Sequence, residues 1–377
     1  LGQGKILERL VEGPIVTLDF DALSDTGGDG YIVKPEETIL VTGANGFIGS
    51  RVVNTLVNYG FTDIRCLVRS SSKITALSNI SDTSIKVKLH LIEGNLLSRD
   101  DCKRATEDVS VIFHLAAGIE KTFPGCYMNS VVATRNLLDS VLENGNLKRF
   151  VNVSSIAVYS NRDTSRRRML DETCEMDGEP ALRHEAYVFG KVKQDELVFD
   201  YARRFDIPYV IVRPGEVFGP GKRKISGRVG INTFGIFLHL GGRNQVPLTY
   251  VDNCAEAIVL AGVMKGVNRE IFNVVDYNLP TSRKFLRMYK KNVRHFWSVY
   301  IPYRMTYFLC YLWEKYSAWS NGQLVPVFNR RQCVASWKTV RYSNQKIRDA
   351  LGWKPRFPID EALKRYFKYM RESEEIK

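Results

Sequence analysis

From Thr38 onward, short β-branched apolar runs alternate with stretches in which apolar residues recur every three or four positions. Runs of the first kind fit strands covered on both faces, and stretches of the second kind fit the helices that cover them. The pattern predicts strands at Thr38 to Thr42, Asp63 to Val68, Lys88 to Ile92, Val109 to Leu115, Phe150 to Val153 and Tyr209 to Val212. Helices are predicted in the intervals, notably Phe47 to Tyr59, Tyr127 to Glu143 and Glu185 to Phe205. Such alternation builds an α/β fold on a doubly wound parallel sheet. After Pro214 it weakens: glycine-rich loops run from Gly219 to Gly242, and a basic, aromatic stretch runs from Arg283 to Tyr316. We therefore read residues 1–37, with the turn-rich Asp25-Thr26-Gly27-Gly28-Asp29-Gly30, as a leader or linker. Residues 38–213 form the sheet domain, and residues 214–377 a smaller, mainly substrate-binding region over the sheet edge.

Composition narrows the partners. The 377 residues are 44% hydrophobic and 25% charged, an ordinary globular balance. A net charge of +13 attracts anions such as nucleotide phosphates, acidic lipid headgroups or nucleic acid. Nucleic acid is not expected, because the charge is spread throughout and no RNA-recognition motif is present. Seven scattered cysteines, without Cys-x-x-Cys or a cysteine-histidine cluster, fit a reduced, cytoplasmic compartment and no metal site. The start shows no signal-peptide pattern. Apolar stretches such as Met305 to Trp313 fall short of the roughly 20 residues that a spanning helix needs.

Thr42-Gly43-Ala44-Asn45-Gly46-Phe47-Ile48-Gly49 follows a predicted strand and opens a predicted helix. Glycines in that setting let the backbone approach a pyrophosphate at a helix N-terminus, a Rossmann-type dinucleotide site with Gly43, Asn45, Gly46, Phe47, Ile48 and Gly49 as its contacts. The spacing is Gly-x-x-Gly-x-x-Gly rather than Gly-x-Gly-x-x-Gly. The second strand ends in Val68-Arg69-Ser70. An acidic residue there would bind the ribose 2′-hydroxyl of NAD, whereas an arginine accommodates a 2′-phosphate. Arg69 and Ser70 therefore favour NADP(H), with NAD as the alternative.

Tyr187-Val188-Phe189-Gly190-Lys191 sets a tyrosine and a lysine four apart on one face of a predicted helix. A free phenol, with a pKa near ~10, is a weak base at neutral pH, and an adjacent ammonium lowers that pKa. Lys191 supplies the charge and can also bond the nicotinamide ribose. Upstream, Val151 to Tyr159 runs from strand into loop, where a hydroxyl can hold the reacting oxygen. Ser154 and Ser155 both qualify, and one of them is expected to be only a backbone cap.

These residues resemble the extended short-chain dehydrogenase/reductases, a family that includes nucleotide-sugar epimerases and dehydratases. The resemblance covers Thr38 to about Tyr366. It rests on the glycine loop, His114-Leu115-Ala116-Ala117, Ser154-Ser155-x-x-Val158-Tyr159, Tyr187-x-x-x-Lys191, Arg213-Pro214-x-x-Val217-Phe218-Gly219-Pro220-Gly221, Tyr250-Val251-Asp252-Asn253 and Leu351-Gly352-Trp353-Lys354-Pro355. It implies that Ser155 is the catalytic serine, Tyr187 the acid/base and Lys191 its partner. It also implies that Asn95 and Leu96 lie beside the adenine and that Ala116 and Ala117 line the cofactor.

Dehydratases of this family carry acidic residues directly after the catalytic hydroxyl, where this chain has Ile156 and Ala157. Epimerisation or alcohol/ketone oxidoreduction on a nucleotide sugar is then expected, with Lys222 and Arg228 as diphosphate ligands. The resemblance extends to 3β-hydroxysteroid dehydrogenases and dihydroflavonol reductases, which act on apolar rings. A non-catalytic dinucleotide-binding scaffold is a further alternative, opposed by the presence of Ser155, Tyr187 and Lys191 together. The Arg283 to Trp319 stretch is expected to be an amphipathic lid with its aromatic face packed on the domain. An anionic membrane surface is its less favoured partner, and a homodimer is left open.

Overall fold

The computed structural model describes residues 30–69, 77, 87–160, 169–233, 235–321 and 323–375. Seven strands make one sheet: β1 (Ile39–Thr42), β2 (Asp63–Val68), β3 (Lys88–Glu93), β4 (Val111–His114), β5 (Arg149–Val153), β6 (Tyr209–Pro214) and β7 (Glu270–Val274). Their spatial order is β7-β6-β5-β4-β1-β2-β3, every pair parallel. β1, β4, β5 and β6 are buried at every position, as expected of parallel strands covered on both faces. The edge strand β3 alternates between exposed and half-buried positions for most of its length.

The period of two along each strand sorts the core into two layers. Ile39, Val41, Phe113, Val151 and Val210 join Val52, Leu56 and Ile258 of helices α1 (Gly49–Asn58) and, further along, Val251–Val263. Leu40, Ile112, Phe150 and Ile211 point the other way, against α2 (Arg99–Thr106), α3 (Ala133–Asn144) and α4 (Ala186–Phe205). A π-helical segment, Tyr127–Val132, leads into α3, and α4 crosses it closely at Gly190. A Cβ at Gly190 would lie 3.2 Å from Ser130 Oγ, which is why the residue before Lys191 is small.

The expected boundary at Pro214 does not coincide with the edge of the sheet. The chain leaves after β6 and returns through α5 (Val251–Val263) to add β7. The excursion between Gly215 and Thr249 interrupts the alternation, so the seventh strand carries no periodic signal linking it to the other six.

The remaining chain forms a second layer. Paired strands Glu216–Phe218 and Leu248–Tyr250 and a three-stranded sheet of Gly230–Thr233, Ile236–His239 and Ser298–Tyr300 sit with helices α6 (Ser282–Asn292), α7 (Tyr303–Trp319), α8 (Arg330–Trp337), α9 (Gln345–Leu351) and α10 (Ile359–Glu375). α6 and α10 share an aromatic core of Phe285, Tyr289, Tyr366 and Phe367. Trp353 is buried, and its indole N–H donates to the Asn253 carbonyl at 3.3 Å, so two of the motifs noted above clasp this layer to α5.

The packed aromatic lid expected between Arg283 and Trp319 holds for α6 and fails for α7. α7 buries only Thr306, Cys310 and Ser317, and turns Met305, Phe308, Leu312 and Trp319 outward. Its inward stripe is small and polar enough to lie close against Cys333 of α8, so the large side chains are left on the outside.

Candidate active site

The order of strands reverses between β1 and β4, and parallel sheets bind ligands in the crevice at such a point, beyond the C-terminal ends of the strands. The glycine loop leaves β1 there. Gly43 has a φ of +69°, and a Cβ on it would lie 2.9 Å from the Ala116 nitrogen. A Cβ at Gly49 would lie 2.1 Å from the Gly43 carbonyl oxygen, so the turn closes only on glycine. The first turn of α1 has no capping side chain and no acidic residue. The Ser50 N–H is taken by the Gly46 carbonyl at 3.0 Å, but no carboxylate competes for this positive helix end, and the cradle fits a dinucleotide pyrophosphate. Phe47 reaches across to Gly221, where a Cβ would come within 3.2 Å of the ring.

Behind the loop runs a buried hydrogen-bonded chain. Thr134 donates to the Ser130 carbonyl at 2.5 Å, so it accepts from both His114 Nε2 and Gln194 Nε2 at 2.8 Å. His114 Nδ1 must then accept from the Thr42 hydroxyl at 2.8 Å, which fixes a neutral Nε2–H tautomer. Burial, with Lys191 nearby, holds His114 down to about 3, in keeping with that neutral form. Gln194 also accepts from Lys191 Nζ at 2.9 Å. The glycine loop and the candidate catalytic lysine are thereby connected through four side chains, Thr42, His114, Thr134 and Gln194.

Arg69 is exposed at the end of β2, whereas Ser70 lies outside the described residues. Asn95 is exposed, and its Oδ1 accepts from the Leu97 N–H at 3.0 Å. The Leu96 carbonyl accepts from Asn136 Nδ2 at 2.9 Å. The Ala116 N–H donates to Thr42 Oγ1 at 3.3 Å, and Ala116 and Ala117 are half-buried past the end of β4.

Ser154 and Ser155 separate sharply. Ser154 is buried and donates to Asp195 Oδ2 at 2.8 Å. Ser155 caps the turn Ile156–Val158 by accepting from the Ala157 N–H at 3.2 Å, and its hydroxyl meets the Tyr187 phenol. Burial pushes Tyr187 up to about 12, and the hydrogen bond from Ser155 acts in the opposite direction. Lys191 is brought down to about 8 by burial, with Asp195 opposing the shift. Its ammonium donates to the Val153 carbonyl at 2.7 Å and to Gln194. The pull on the phenol expected of Lys191 therefore comes from Ser155 in this structure, because the lysine's donors are directed at β5 and α4.

Asp195 anchors this corner. It accepts from Asn152 at 2.8 Å, from Ser154, and twice from Arg213 at 3.1 and 3.2 Å. Arg213 in turn stacks 4.8 Å over the Tyr159 ring.

The basic residues expected near a diphosphate are engaged elsewhere. Lys222 donates to the Val217 carbonyl at 2.7 Å, and Arg228 to the Ala335 carbonyl at 3.0 Å and the Tyr342 hydroxyl at 3.3 Å. A cavity of about 650 Å³ opens instead between α7, α8 and the turn that precedes α4. His184, Tyr303, Tyr307, Arg330, Arg331 and Lys338 line it, and Ser155, Tyr187 and Lys191 do not. Sequence reading placed Tyr303 and Tyr307 only within the basic, aromatic stretch and missed His184, Arg330, Arg331 and Lys338. Their one local signal, the Arg330-Arg331 pair, resembles many solvated basic pairs until the fold sets it opposite His184.

Residues 39–274 match the family model described as the NAD-dependent epimerase/dehydratase family. Among curated proteins, the chain is 26% identical over 254 residues to a trifunctional UDP-glucose 4,6-dehydratase, UDP-4-keto-6-deoxy-D-glucose 3,5-epimerase and UDP-4-keto-L-rhamnose reductase of Arabidopsis thaliana, a match covering 64% of this chain and 37% of that protein. It is 28% identical over 188 residues to cinnamoyl-CoA reductase 1 of Petunia hybrida, covering 49% of this chain and 55% of the reductase. The chain thus spans less than two thirds of these curated relatives. Among solved structures, UDP-glucuronic acid 4-epimerase from Bacillus cereus, in complex with UDP-glucuronic acid and NAD, superposes with a TM-score of 0.66 at 19% identity. That likeness, over 89% of this chain and 99% of the other, concerns the fold.

Proposed function

The chain belongs to the NAD-dependent epimerase/dehydratase family, and from that premise we propose that it moves a hydride between a nicotinamide dinucleotide and a nucleotide-linked sugar, with Tyr187 carrying the proton. The observation that supports this most directly is the meeting of Ser155 and Tyr187 past the end of β5, on the strand-end side of the sheet where the glycine cradle also lies. When bound, the dinucleotide supplies the hydride acceptor or donor. The Ser155 hydroxyl can donate to the reacting oxygen, and Tyr187 exchanges a proton with it as the carbon changes oxidation state. A phenol held up to about 12 rests protonated at neutral pH, so it is poised to donate to a carbonyl oxygen. In this reading Lys191 also holds the ribose, which requires its buried ammonium, now bonded to the Val153 carbonyl and Gln194, to give up the Gln194 contact. No carboxylate follows Ser155, only Ile156 and Ala157, so elimination of water is not part of this reading.

The cavity offers a second, basic surface of His184, Arg330, Arg331 and Lys338, but Arg330 is paired with Glu314 on the same wall and Arg331 with Asp177 and Glu179, so a phosphate there would have to displace carboxylates. The Arabidopsis relative and the B. cereus epimerase both act on UDP sugars by name. The similarity to a cinnamoyl-CoA reductase supports a second reading, reduction of an apolar carbonyl compound.

The test mixes the protein and a nicotinamide dinucleotide with UDP-glucose, UDP-glucuronic acid or a hydroxycinnamoyl-CoA, following dinucleotide absorbance and product mass. We expect conversion of a UDP sugar, lowered at least about a hundredfold in Tyr187→Phe with dinucleotide affinity retained. Conversion of the CoA ester alone would establish the second reading. Turnover unchanged in Tyr187→Phe would overturn the role of the phenol, and dinucleotide binding without any turnover would make the chain a scaffold.

A further inference from the structure

α7 is amphipathic in reverse. Its inward stripe is Thr306, Cys310 and Ser317, small or polar, whereas Met305, Phe308, Leu309, Leu312, Tyr316 and Trp319 recur at three- and four-residue intervals along the outward face. Phe308 is 56% exposed and Trp319 77%. The surface continues beyond the helix. Trp297, 84% exposed, immediately precedes the strand Ser298–Tyr300, and Val299 lies on it, beside exposed Ile236, since the Phe237 N–H bonds the Trp297 carbonyl at 3.2 Å. On the other side Trp313 holds the exposed Val325 to Phe328 segment through its contacts with the Val325 carbonyl and the Phe328 ring. Single exposed apolar residues are ordinary, but a contiguous exposed apolar face marks an interaction surface.

Charge selects the partner. From Lys291 to Arg331 the one acidic residue is Glu314, against Lys291, Arg294, Arg304, Lys315, Arg330 and Arg331. Arg330 is paired with Glu314 at 2.7 Å, Arg294 with Glu374 at 3.2 Å and Arg331 with Glu179, so the positive field here rests on Lys291, Arg304 and Lys315. Arg304 and Lys315 are exposed on α7, flanking its apolar stripe. An apolar stripe bordered by cations, with tryptophans at its margins, fits the interface of an anionic bilayer, where aromatic rings sit at headgroup depth. A second copy of this chain fits poorly, because a two-fold contact pairs this face with itself, and the one acid of α7, Glu314, is already taken by Arg330 rather than available to meet Arg304 and Lys315. No helix among the described residues is long and apolar enough to cross a membrane, so the contact lies on the surface.

We propose that the face built from α7, Trp297 with the adjoining strand Ser298–Tyr300, and the Val325 to Phe328 segment docks on membranes containing anionic lipid. The same helix contributes Tyr303, Tyr307 and Glu314 to the 650 Å³ cavity, so docking holds that cavity beside the headgroups. The proposal does not depend on the reaction proposed above.

The experiment is co-sedimentation of the full chain with vesicles of phosphatidylcholine alone or with about a third phosphatidylglycerol. We expect binding to the anionic vesicles that weakens with added salt and is accompanied by a blue shift of tryptophan emission. Replacing Phe308, Leu312 and Trp319 together by serine should abolish it while leaving the thermal unfolding midpoint unchanged, since all three are exposed. Arg304→Gln with Lys315→Gln should weaken it by about fivefold for each cation removed. Failure of the wild-type chain to bind anionic vesicles would overturn the proposal, and so would undiminished binding by the serine variant. Wild-type dimers in sedimentation that the serine variant dissociates, without vesicle binding, would assign the face to a second copy.

Discussion

Ser154 and Ser155 are chemically identical neighbours, and the residues around them decide which one can act. Ser154 is spent on Asp195, while Ser155 keeps its hydroxyl toward Tyr187. Ser155→Ala removes the one bond that draws the phenol down, so the ionisation of Tyr187 should move to higher pH. For alcohol oxidation, which needs the phenolate, we expect the rising limb of the pH–rate profile to shift alkaline and the rate at neutral pH to fall at least about tenfold. An unshifted limb would remove Ser155 from the mechanism. We propose that Arg69, exposed at the end of β2, sets the dinucleotide preference. A guanidinium paired with a 2′-phosphate is worth roughly 1.5 to 3 kcal/mol, so NADP(H) should bind about tenfold or more tightly than NAD, less so at high salt. Calorimetric titration with both dinucleotides checks this, and equal affinities, or an NAD preference that survives Arg69→Ala, would refute it.

At the scale of elements, α4 is the hinge of the site, since it presents Tyr187, Lys191, Gln194 and Asp195 within one span. The Tyr187 to Lys191 spacing is legible in sequence because it follows the helical period, but the service of Asp195 is not. Its partners Asn152, Ser154 and Arg213 come from the strands β5 and β6 and the loop after β5. Asp195→Ala would leave the Arg213 guanidinium buried without its carboxylate. The expected cost is about 3 to 5 kcal/mol, read as a lower urea midpoint, because truncating one member of a buried pair strands the other charge. A change within about 0.5 kcal/mol, typical of surface substitutions, would show that the corner is solvated. α7 teaches the converse. Its amphipathic period was readable, but the apolar stripe is not the side that packs, because the space against α8 admits only small residues.

For the molecule as a whole, the clasp between the two layers is also a pH-sensitive joint. Asp276, just after β7, accepts from the Tyr250 N–H at 2.8 Å and from Asn253 at 3.0 Å, and burial raises it to about 7 despite both bonds. An aspartate in the unfolded chain titrates near ~3.9, so the folded state holds this proton more tightly. The stabilisation is complete below about pH 4 and is lost as pH rises through about 7. The stability of the wild type should therefore fall by an amount on the order of 2 kcal/mol between about pH 5 and 8 relative to Asp276→Asn, measured by denaturant titration at each pH. Parallel stability curves for the two proteins would refute the assignment.

Whatever depends on spacing along one segment was settled by the sequence alone. The strands β1 to β6, the glycine loop at the end of β1 and the common face of Tyr187 and Lys191 follow from backbone periods that every residue obeys locally. The tertiary structure decided whatever needs two segments distant in the chain. It turned Ser154 toward Asp195 and Ser155 toward Tyr187, turned Lys191 toward Gln194, engaged Lys222 and Arg228 with neighbouring carbonyls, and gathered His184 with Arg330 and Arg331. It also returned residues Glu270–Val274 to the sheet and faced the apolar stripe of α7 outward. A local pattern determines which residues share a face, but the direction of that face depends on what else packs there, and those neighbours lie up to hundreds of positions away.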